Sequence, residues 1–445
     1  MKFVVGVDDH DSTKAGCTTH FSSILLEKLF LKNCKISELP KLVRLNPNIP
    51  WKTRGNASIS FIVDCNISLC ELEQLVSDTS EKYVKKISMG YNLNRKPGYA
   101  ILEYDKYNLI KDKLESFYER AVSDVIPLDL AKKFAKNNKI LIGGSRGLIG
   151  SIAALGFDED YTFELLTYRK IENWNKDRDV DNKSIMEADS IFFPKVVANY
   201  DYFKNKPLIL SHGRDPVFYG LRGIDPEILI KEMNIIKAKE ELDFFMIFKT
   251  NQMTDPHLKY LGTRYYQTTS MKIKINSIRI MKGGHVIIEG GYSEMLVIVY
   301  RESRELNSLA KELKRGDLIH VSGAIKPSFN NSKILEAERI EVLYLNDQIN
   351  EIPLCPICKR RMESVGKDKG YRCKRCKTFA NSKTTKSISR NITLGLYQSP
   401  LYRHLTKPIY LNLSKPEINE EELINNILSK MIKRQDRYVS TMVSS

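Results

Sequence analysis

Phe3-Val-Val-Gly-Val-Asp-Asp-His-Asp-Ser12 carries five mostly apolar residues straight into three carboxylates, Asp8, Asp9 and Asp11. A short β-branched run of this kind is what a buried strand needs, and no helical period fits it. Ending a buried strand in clustered acids is costly unless a cation or a substrate neutralises them. Hard oxygen ligands suit Mg²⁺, which is usually held by one or two carboxylates together with substrate phosphates. Downstream, Gly16-Cys17-Thr18-Thr19 opens an apolar helix expected over about 21–31, which brings hydroxyls at a helix start towards the acids. The opening is therefore strand, acidic turn and helix, with the chemistry at the carboxyl edge of a sheet.

Outward from that motif, helix and strand signals alternate. Strands are expected at 42–45, 57–64 and 99–103, with helices over 68–88 and 107–122, an α/β region spanning 1–125. A second α/β region, 126–265, holds a strand at 162–168, a helix capped at Asp225-Pro226 and a strand at 244–248. Its alternation suits a ferredoxin-like α+β layer. From 266 to 346 the texture turns to β: strands at 271–280, 285–289, 296–300, 318–324 and 340–345, with one helix at 304–314 between the third and fourth. That order is the one an OB-fold barrel uses. A zinc ribbon at 352–382 and a helical extension at 383–445, with its helix near 417–437, complete the chain.

A length of 445 residues calls for roughly three or four domains. No stretch approaches the ~18 continuous apolar residues of a membrane span, so the expectation is a soluble, cytoplasmic protein without a membrane partner. Seventy basic against 54 acidic residues leave a net charge of +16, which favours a polyanionic partner, nucleic acid above all. Of the eight cysteines, Cys17, Cys34, Cys65 and Cys70 are scattered and read as reduced thiols. The others form Cys355-Pro-Ile-Cys358 and Cys373-Lys-Arg-Cys376, two CxxC knuckles separated by fourteen residues. Four thiolates close a tetrahedral site and leave no open position, which implies structural Zn²⁺. Nine lysines and arginines lie among and beside these cysteines against Glu363 and Asp368, and a basic knuckle next to an OB-fold suits nucleic acid.

Two further stretches fit phosphate. In Trp51-Lys-Thr-Arg-Gly-Asn56, Arg54 supplies a bidentate donor, Gly55 allows close backbone approach and Asn56 adds a side-chain donor. Gly143, Gly144, Arg146 and Gly147 form a glycine-rich loop before a helix, able to cradle phosphate on backbone N–H groups, although the Gly-Lys-Ser/Thr ending of a Walker loop is missing. Cys17 with His10 and His20 has the residue types of a thiol nucleophile but no identifiable orienting group, so packing is the preferred reading.

The same stretches carry a resemblance. V-G-V-D-D-H-D-S with G-C-T-T, R-L-N-P-N-I-P-W-K-T-R-G-N (44–56), G-S-R-G-L-I-G-S-I-A-A-L-G (144–156), D-P-V-F-Y-G-L-R-G (215–223) and K-T-N-Q-M-T-D-P-H-L (249–258) occur in order, ahead of the OB-fold and zinc-ribbon signals. The chain resembles the archaeal agmatidine synthases, the 2-agmatinylcytidine synthetases of a minor isoleucine tRNA with a CAU anticodon. The resemblance implies a kinase-like first domain that uses ATP to activate the C2 carbonyl of the wobble cytidine, and agmatine that displaces the activated oxygen. It also implies phosphorylation of a threonine, which by match to C-T-T is Thr18, and places Asp8, Asp9 and Asp11 on the phosphate-and-metal loop. His10 stands where relatives are expected to carry Thr. For the agmatine guanidinium, Asp215 as anion and Tyr219 as stacking ring are the candidates, the plainer alternative being that Asp215 caps the turn before Pro216. Two rivals are a non-catalytic RNA-binding scaffold, which leaves the acids unexplained, and an Asp-nucleophile phosphatase, which leaves Thr18 and the C-terminal modules without a role.

Overall fold

The computed structural model describes residues 1–50, 56–158, 160–290, 295–328, 333–399 and 404–432. The chain divides into two compact units, Met1–Thr268 with Leu401–Ser445, and Thr269–Pro400. Eight strands of the first unit form one sheet: β1 (Lys2–Asp8), β2 (Lys41–Arg44), β3 (Ala57–Asp64), β4 (Gly98–Glu103), β5 (Leu141–Gly144), β6 (Thr162–Arg169), β7 (Val217–Gly223) and β8 (Leu242–Thr250). Their spatial order is β5-β4-β1-β3-β2-β8-β6-β7. Among the described residues of this sheet only β2 and β8 pair in parallel; β1 runs antiparallel to both neighbours. The sheet crosses the 125/126 division drawn from the sequence, because β5, β6, β7 and β8 extend the surface that β1–β4 begin.

Both faces of the sheet are covered, which is why the β1 run is apolar without a two-residue alternation. Phe3, Val5 and Val7 enter one core and Val4 the other. The first face is covered by α1 (Thr18–Leu31), α2 (Leu69–Lys82) and the helices Asn182–Phe192 and Pro226–Ile235. The second is covered by α3 (Lys111–Ser123), the helix Leu128–Asn137 and α4 (Leu148–Leu155). Gly6 permits a close approach of α4, since a Cβ there would stand 2.1 Å from the Ser151 carbonyl oxygen. The tail returns to the first core: helix Glu420–Ile432 buries Ile424, Ile427, Leu428 and Met431 there.

The helix expected over 68–88 starts with a Ser68/Glu71 capping box, ends as α-helix at Lys82 and continues as a π-helical turn over Tyr83–Ile87. Cys34 and Cys65 correct the reading of four scattered reduced thiols, because they form a disulfide with Cα atoms 4.4 Å apart. After α1 the chain comes back beside the end of β3, where Lys35 and Asp64 exchange backbone hydrogen bonds of 2.8 and 2.9 Å. That rung sets the two cysteines side by side, a juxtaposition that a sequence separation of 31 does not reveal.

In the second unit, β9 (Thr268–Ile280), β10 (Val286–Gly290), β11 (Leu296–Val299), β12 (Leu318–Pro327) and β13 (Lys333–Tyr344) pair in the order β11-β10-β9-β12-β13. A parallel β11–β13 rung closes the barrel, and helix Glu305–Glu312 lies between its third and fourth strands, as expected of an OB-fold. The ribbon that follows is built on three short strands, at Glu363–Ser364, Tyr371–Arg372 and Phe379–Ala380. Among the described residues no helix is long and apolar enough to cross a membrane.

Candidate active site and metal centre

Because the strands alternate in direction, one edge of the large sheet collects the ends of β1, β2, β5, β7 and β8 and the starts of β3, β4 and β6. Along this edge opens a cavity of about 550 Å³. Asp8, Asp9, Asp11 and Thr18 all line it. Asp9, the first residue after β1, takes the left-handed region (φ 61°), a conformation aspartate tolerates, and its N–H turns back onto Asp8 Oδ1 at 2.7 Å. Its own Oδ2 accepts from Lys96 N at 3.0 Å and Arg146 Nη2 at 3.3 Å, while Arg95 Nη1 stands 3.9 Å from Oδ1. Burial, the Asp9 charge and, more weakly, that of Asp11 hold the Asp8 carboxyl well above its ordinary range; burial also raises Asp9 despite Lys96, Arg146 and Arg95. Two carboxyls that resist ionisation side by side make a site that a cation would relieve.

Thr18 is the first helical residue of α1, and Cys17 occupies the N-cap without a side-chain cap bond. The Thr18 Oγ1 accepts from the His10 backbone N–H at 3.2 Å, so the hydroxyl is tied to the acidic turn. The His10 ring points elsewhere: it stacks on Phe21 with centroids 3.7 Å apart and bonds Ser80 Oγ at 2.8 Å through Nε2. Burial takes its pKa down to about 3, so it is neutral. His20 bonds the Tyr83 hydroxyl at 2.9 Å, and that hydroxyl also accepts from Cys17 N at 3.0 Å. The π-turn thus places Tyr83 beneath the start of α1, and the two histidines have their own partners apart from a thiol–base pair.

Of the glycine-rich loop, Arg146 and Gly147 line the cavity, whereas Gly143 and Gly144 do not. Neither borders the acids, and Gly144 lines a separate hollow with Arg95, Lys96 and Ser145. A Cβ on Gly143 would meet the Tyr99 ring at 2.0 Å, and Gly144 (φ +90°) lies against the Pro97 carbonyl. Gly150 on α4 lines the site and makes room for Asp8, whose Oδ2 is 2.0 Å from where a Cβ would stand. Asn56 lines the cavity and donates to the Asn46 carbonyl at 3.2 Å; Arg54 and Gly55 lie outside the described residues.

Asp215 faces the cavity and also caps its turn: Oδ1 accepts from Val217 N at 2.9 Å and Oδ2 from Ser211 Oγ at 3.1 Å. Tyr219 is corrected. It is fully buried in the first core, outside the cavity lining, and presents no open ring face to a ligand.

Four charged residues of the cavity wall, Arg44, Asp124, Glu164 and Arg222, are not among the candidates drawn from the sequence. Glu164 on β6 accepts from Arg44 Nη2 at 3.2 Å and Arg222 Nε at 3.0 Å. Arg44, Glu164 and Arg222 stand far apart in the chain, and the one available signal was a charge at the end of K-L-V-R and one within each of T-F-E-L-L and G-L-R-G.

In the ribbon, the sulfurs of Cys355, Cys358, Cys373 and Cys376 all lie within 4.8 Å of one another, with Cys358 and Cys373 3.6 Å apart. Sulfurs bound to one tetrahedral zinc at ~2.3 Å stand roughly 3.8 Å apart, so the four residues fit structural zinc.

The fold and the sites define a multidomain α/β and β protein with an acid-lined catalytic-type cavity and a zinc ribbon. Residues 4–67 match the TiaS TCKD domain family, 145–257 the TiaS FLD domain and 352–392 the TiaS C-terminal zinc ribbon domain. The chain is 52% identical over 416 residues to the isoleucine-tRNA 2-agmatinylcytidine synthetase TiaS of Saccharolobus islandicus, covering 93% of this chain and 94% of that protein. It is 35% identical to the enzyme of the same name from Methanocaldococcus jannaschii, over 92% of this chain and 98% of that one. A crystal structure of TiaS in complex with its isoleucine tRNA and ATP superposes with a TM-score of 0.80 at 30% identity, covering 94% of this chain and 99% of the other. A complex of TiaS with the same tRNA, AMPCPP and agmatine superposes with a TM-score of 0.78 at 28% identity, with the same coverage. The chain belongs to the family of isoleucine-tRNA 2-agmatinylcytidine synthetases.

Proposed function

We propose that this protein is an ATP-dependent ligase that converts the wobble cytidine of the minor isoleucine tRNA, the one with a CAU anticodon, to agmatidine. One observation carries the mechanism: the acidic end of β1, the Thr18 hydroxyl and a cavity of about 550 Å³ meet at one sheet edge, in a chain 52% identical to a named synthetase. A pyrimidine C2 oxygen is a poor leaving group, so it is first phosphorylated, and the agmatine amine then attacks C2 and expels it as phosphate. The base leaves its stack to reach the cavity. Asp8, Asp9 and Asp11 would hold a magnesium ion, which would supply charge neutralisation for the ATP phosphates. Arg146, Gly147 and Asn56, with Arg54 and Gly55, position the nucleotide, and Thr18 accepts a phosphoryl group.

The division that supports this reading is a kinase-like domain over 1–125, a ferredoxin-like domain over 126–265, an OB-fold over 266–346, the zinc ribbon over 352–382 and a C-terminal extension over 383–445. The barrel and ribbon hold the tRNA body, and the protein works in the cytoplasm. Asp215 receives the agmatine guanidinium: Asp215→Ala raises the agmatine KM roughly tenfold or more while the ATP KM is kept, and an unchanged agmatine KM removes the assignment. The function itself is tested by incubating the protein with ATP, Mg²⁺, agmatine and the CAU-anticodon isoleucine tRNA, then analysing nucleosides by mass spectrometry. Agmatidine formed only with all components is expected. Phosphate release independent of tRNA selects the phosphatase, and tRNA binding without ATP consumption selects the scaffold.

A further inference from the structure

Glu164, 1% exposed, uses both carboxylate oxygens on two arginines and accepts a third bond, from Gln252 Nε2 at 2.5 Å. The assembly is braced on all sides. Gln252 Oε1 bonds His404 Nδ1 at 3.0 Å, and the Asn251 side chain bonds both Arg44 N and Arg44 O at 2.8 Å. Burial pushes the Glu164 carboxyl up, yet the two guanidiniums and Gln252 carry it below the ordinary value, so it is ionised. Two guanidiniums on one carboxylate leave an excess positive charge in a poorly solvated wall, which is costly until an anion arrives.

Donors also remain. Arg44 Nε is buried without a partner, and Arg222 is tied through Nε alone, its terminal nitrogens making no hydrogen bond among the described residues. Arg44, Glu164 and Arg222 all line the cavity. Arg44 ends β2, two strands from β1, and Arg222 lies on β7, five strands from it; they meet at Glu164 on β6, so the pair lies roughly 10–20 Å along the edge from Asp8. A phosphoryl group at the acids is too small to fill both places. The guanidinium pair also repels a guanidinium ligand, which leaves agmatine to the acidic part of the cavity.

We propose that Arg44 and Arg222, held in register by Glu164, form a second phosphate subsite that takes a backbone phosphate beside the target nucleotide of the RNA. Glu164 is a positioning residue here; it orients the two forks and does not touch the ligand. The inference rests on the RNA-modifying reading above. It is tested with the full-length protein by measuring affinity for the minor isoleucine tRNA against salt, and ATP affinity separately, for wild type, Arg222→Gln, Arg222→Lys and Glu164→Gln. Arg222→Gln is expected to weaken tRNA binding roughly ten- to a hundredfold and to reduce the slope of log K against log salt by ~0.7. Arg222→Lys is expected to keep the slope and lose part of the affinity, and Glu164→Gln to weaken tRNA binding; ATP affinity is kept in all three. Loss of ATP affinity with an unchanged tRNA slope assigns the phosphate to the nucleotide and overturns the proposal. A lowered Tm with both affinities intact makes the triad purely structural and also overturns it. Wild-type protein that binds neither ligand refutes the functional reading instead.

Discussion

Glu232 is fully buried, with Asn199 Nδ2 at 2.6 Å from one carboxylate oxygen and no partner on the other. Burial, reinforced by Asp189, pushes its pKa up to about 8 against an ordinary value of 4.5. The folded chain therefore keeps a proton that the unfolded chain releases. Its contribution to stability is fully present below about 4.5 and is lost progressively as pH rises to about 8. Glu232→Gln, which copies the neutral form, should flatten the fall in unfolding free energy across that window and leave the variant more stable than wild type at its alkaline end. Denaturant unfolding at a series of pH values checks this, and parallel curves for the two proteins contradict it. Thr18 gives the chemical counterpart. Its hydroxyl sits in the acid-lined cavity, tied to the backbone of His10 and at the start of α1, where helix polarity favours phosphate. Incubation with Mg-ATP should place one phosphate on Thr18; Thr18→Ala should abolish it and Thr19→Ala should not, as read by peptide mass spectrometry. At this scale the sequence shows what is contiguous. Asp8, Asp9, Asp11 and Thr18 are legible because eleven successive positions hold them all, whereas the Arg44–Glu164–Arg222 triad exists only once three strands are laid side by side. Tyr219 misled for the opposite reason, since a conspicuous motif says nothing about which face of β7 a ring occupies.

Elements were read well wherever burial pattern and turn residues agree. The strand expected at 57–64 is β3, and the five barrel strands with their intervening helix appear in the expected order. Pairing was harder to see, because an apolar strand buried on both faces does not reveal whether its neighbours run with or against it. The Cys34–Cys65 bond is a consequence of pairing of that kind. It fastens the chain beyond α1 to the end of β3 and closes a loop of sequence separation 31. In the chain-entropy account such a crosslink stabilises by roughly 3–4 kcal/mol. Cys34→Ser should therefore lower Tm by several degrees, and reductant should lower the wild-type Tm and leave the variant unmoved. Equal Tm values with and without reductant refute a stabilising role.

For the whole molecule, the least legible feature was the return of the tail. A helix was expected near 417–437, but nothing in Glu420–Ile432 announces that its apolar side completes a core begun at Phe3. Glu420 reinforces the return, accepting from Leu39 N at 3.0 Å and pairing with Lys249 Nζ at 2.7 Å. Cutting the chain before the barrel would thus strip the catalytic unit of part of its own core, and the contribution of the second unit has to be probed inside the full chain. The zinc site allows that. Four sulfurs within 4.8 Å are a folding centre for a ribbon whose buried apolar content is small, Met362 beside Cys355 and Cys373. Purified protein should contain one zinc per chain. Cys373→Ser should unfold the ribbon, weaken binding of the isoleucine tRNA and make its salt dependence shallower, because the lysines and arginines around the knuckles no longer converge on phosphates. Phosphorylation of Thr18 should persist in the same variant, since the acids, the hydroxyl and their supporting helices all belong to the unit 1–268 with 401–445. Unchanged tRNA affinity in zinc-free Cys373→Ser protein would remove the ribbon from RNA binding, and loss of Thr18 phosphorylation there would show that the two units do not act independently.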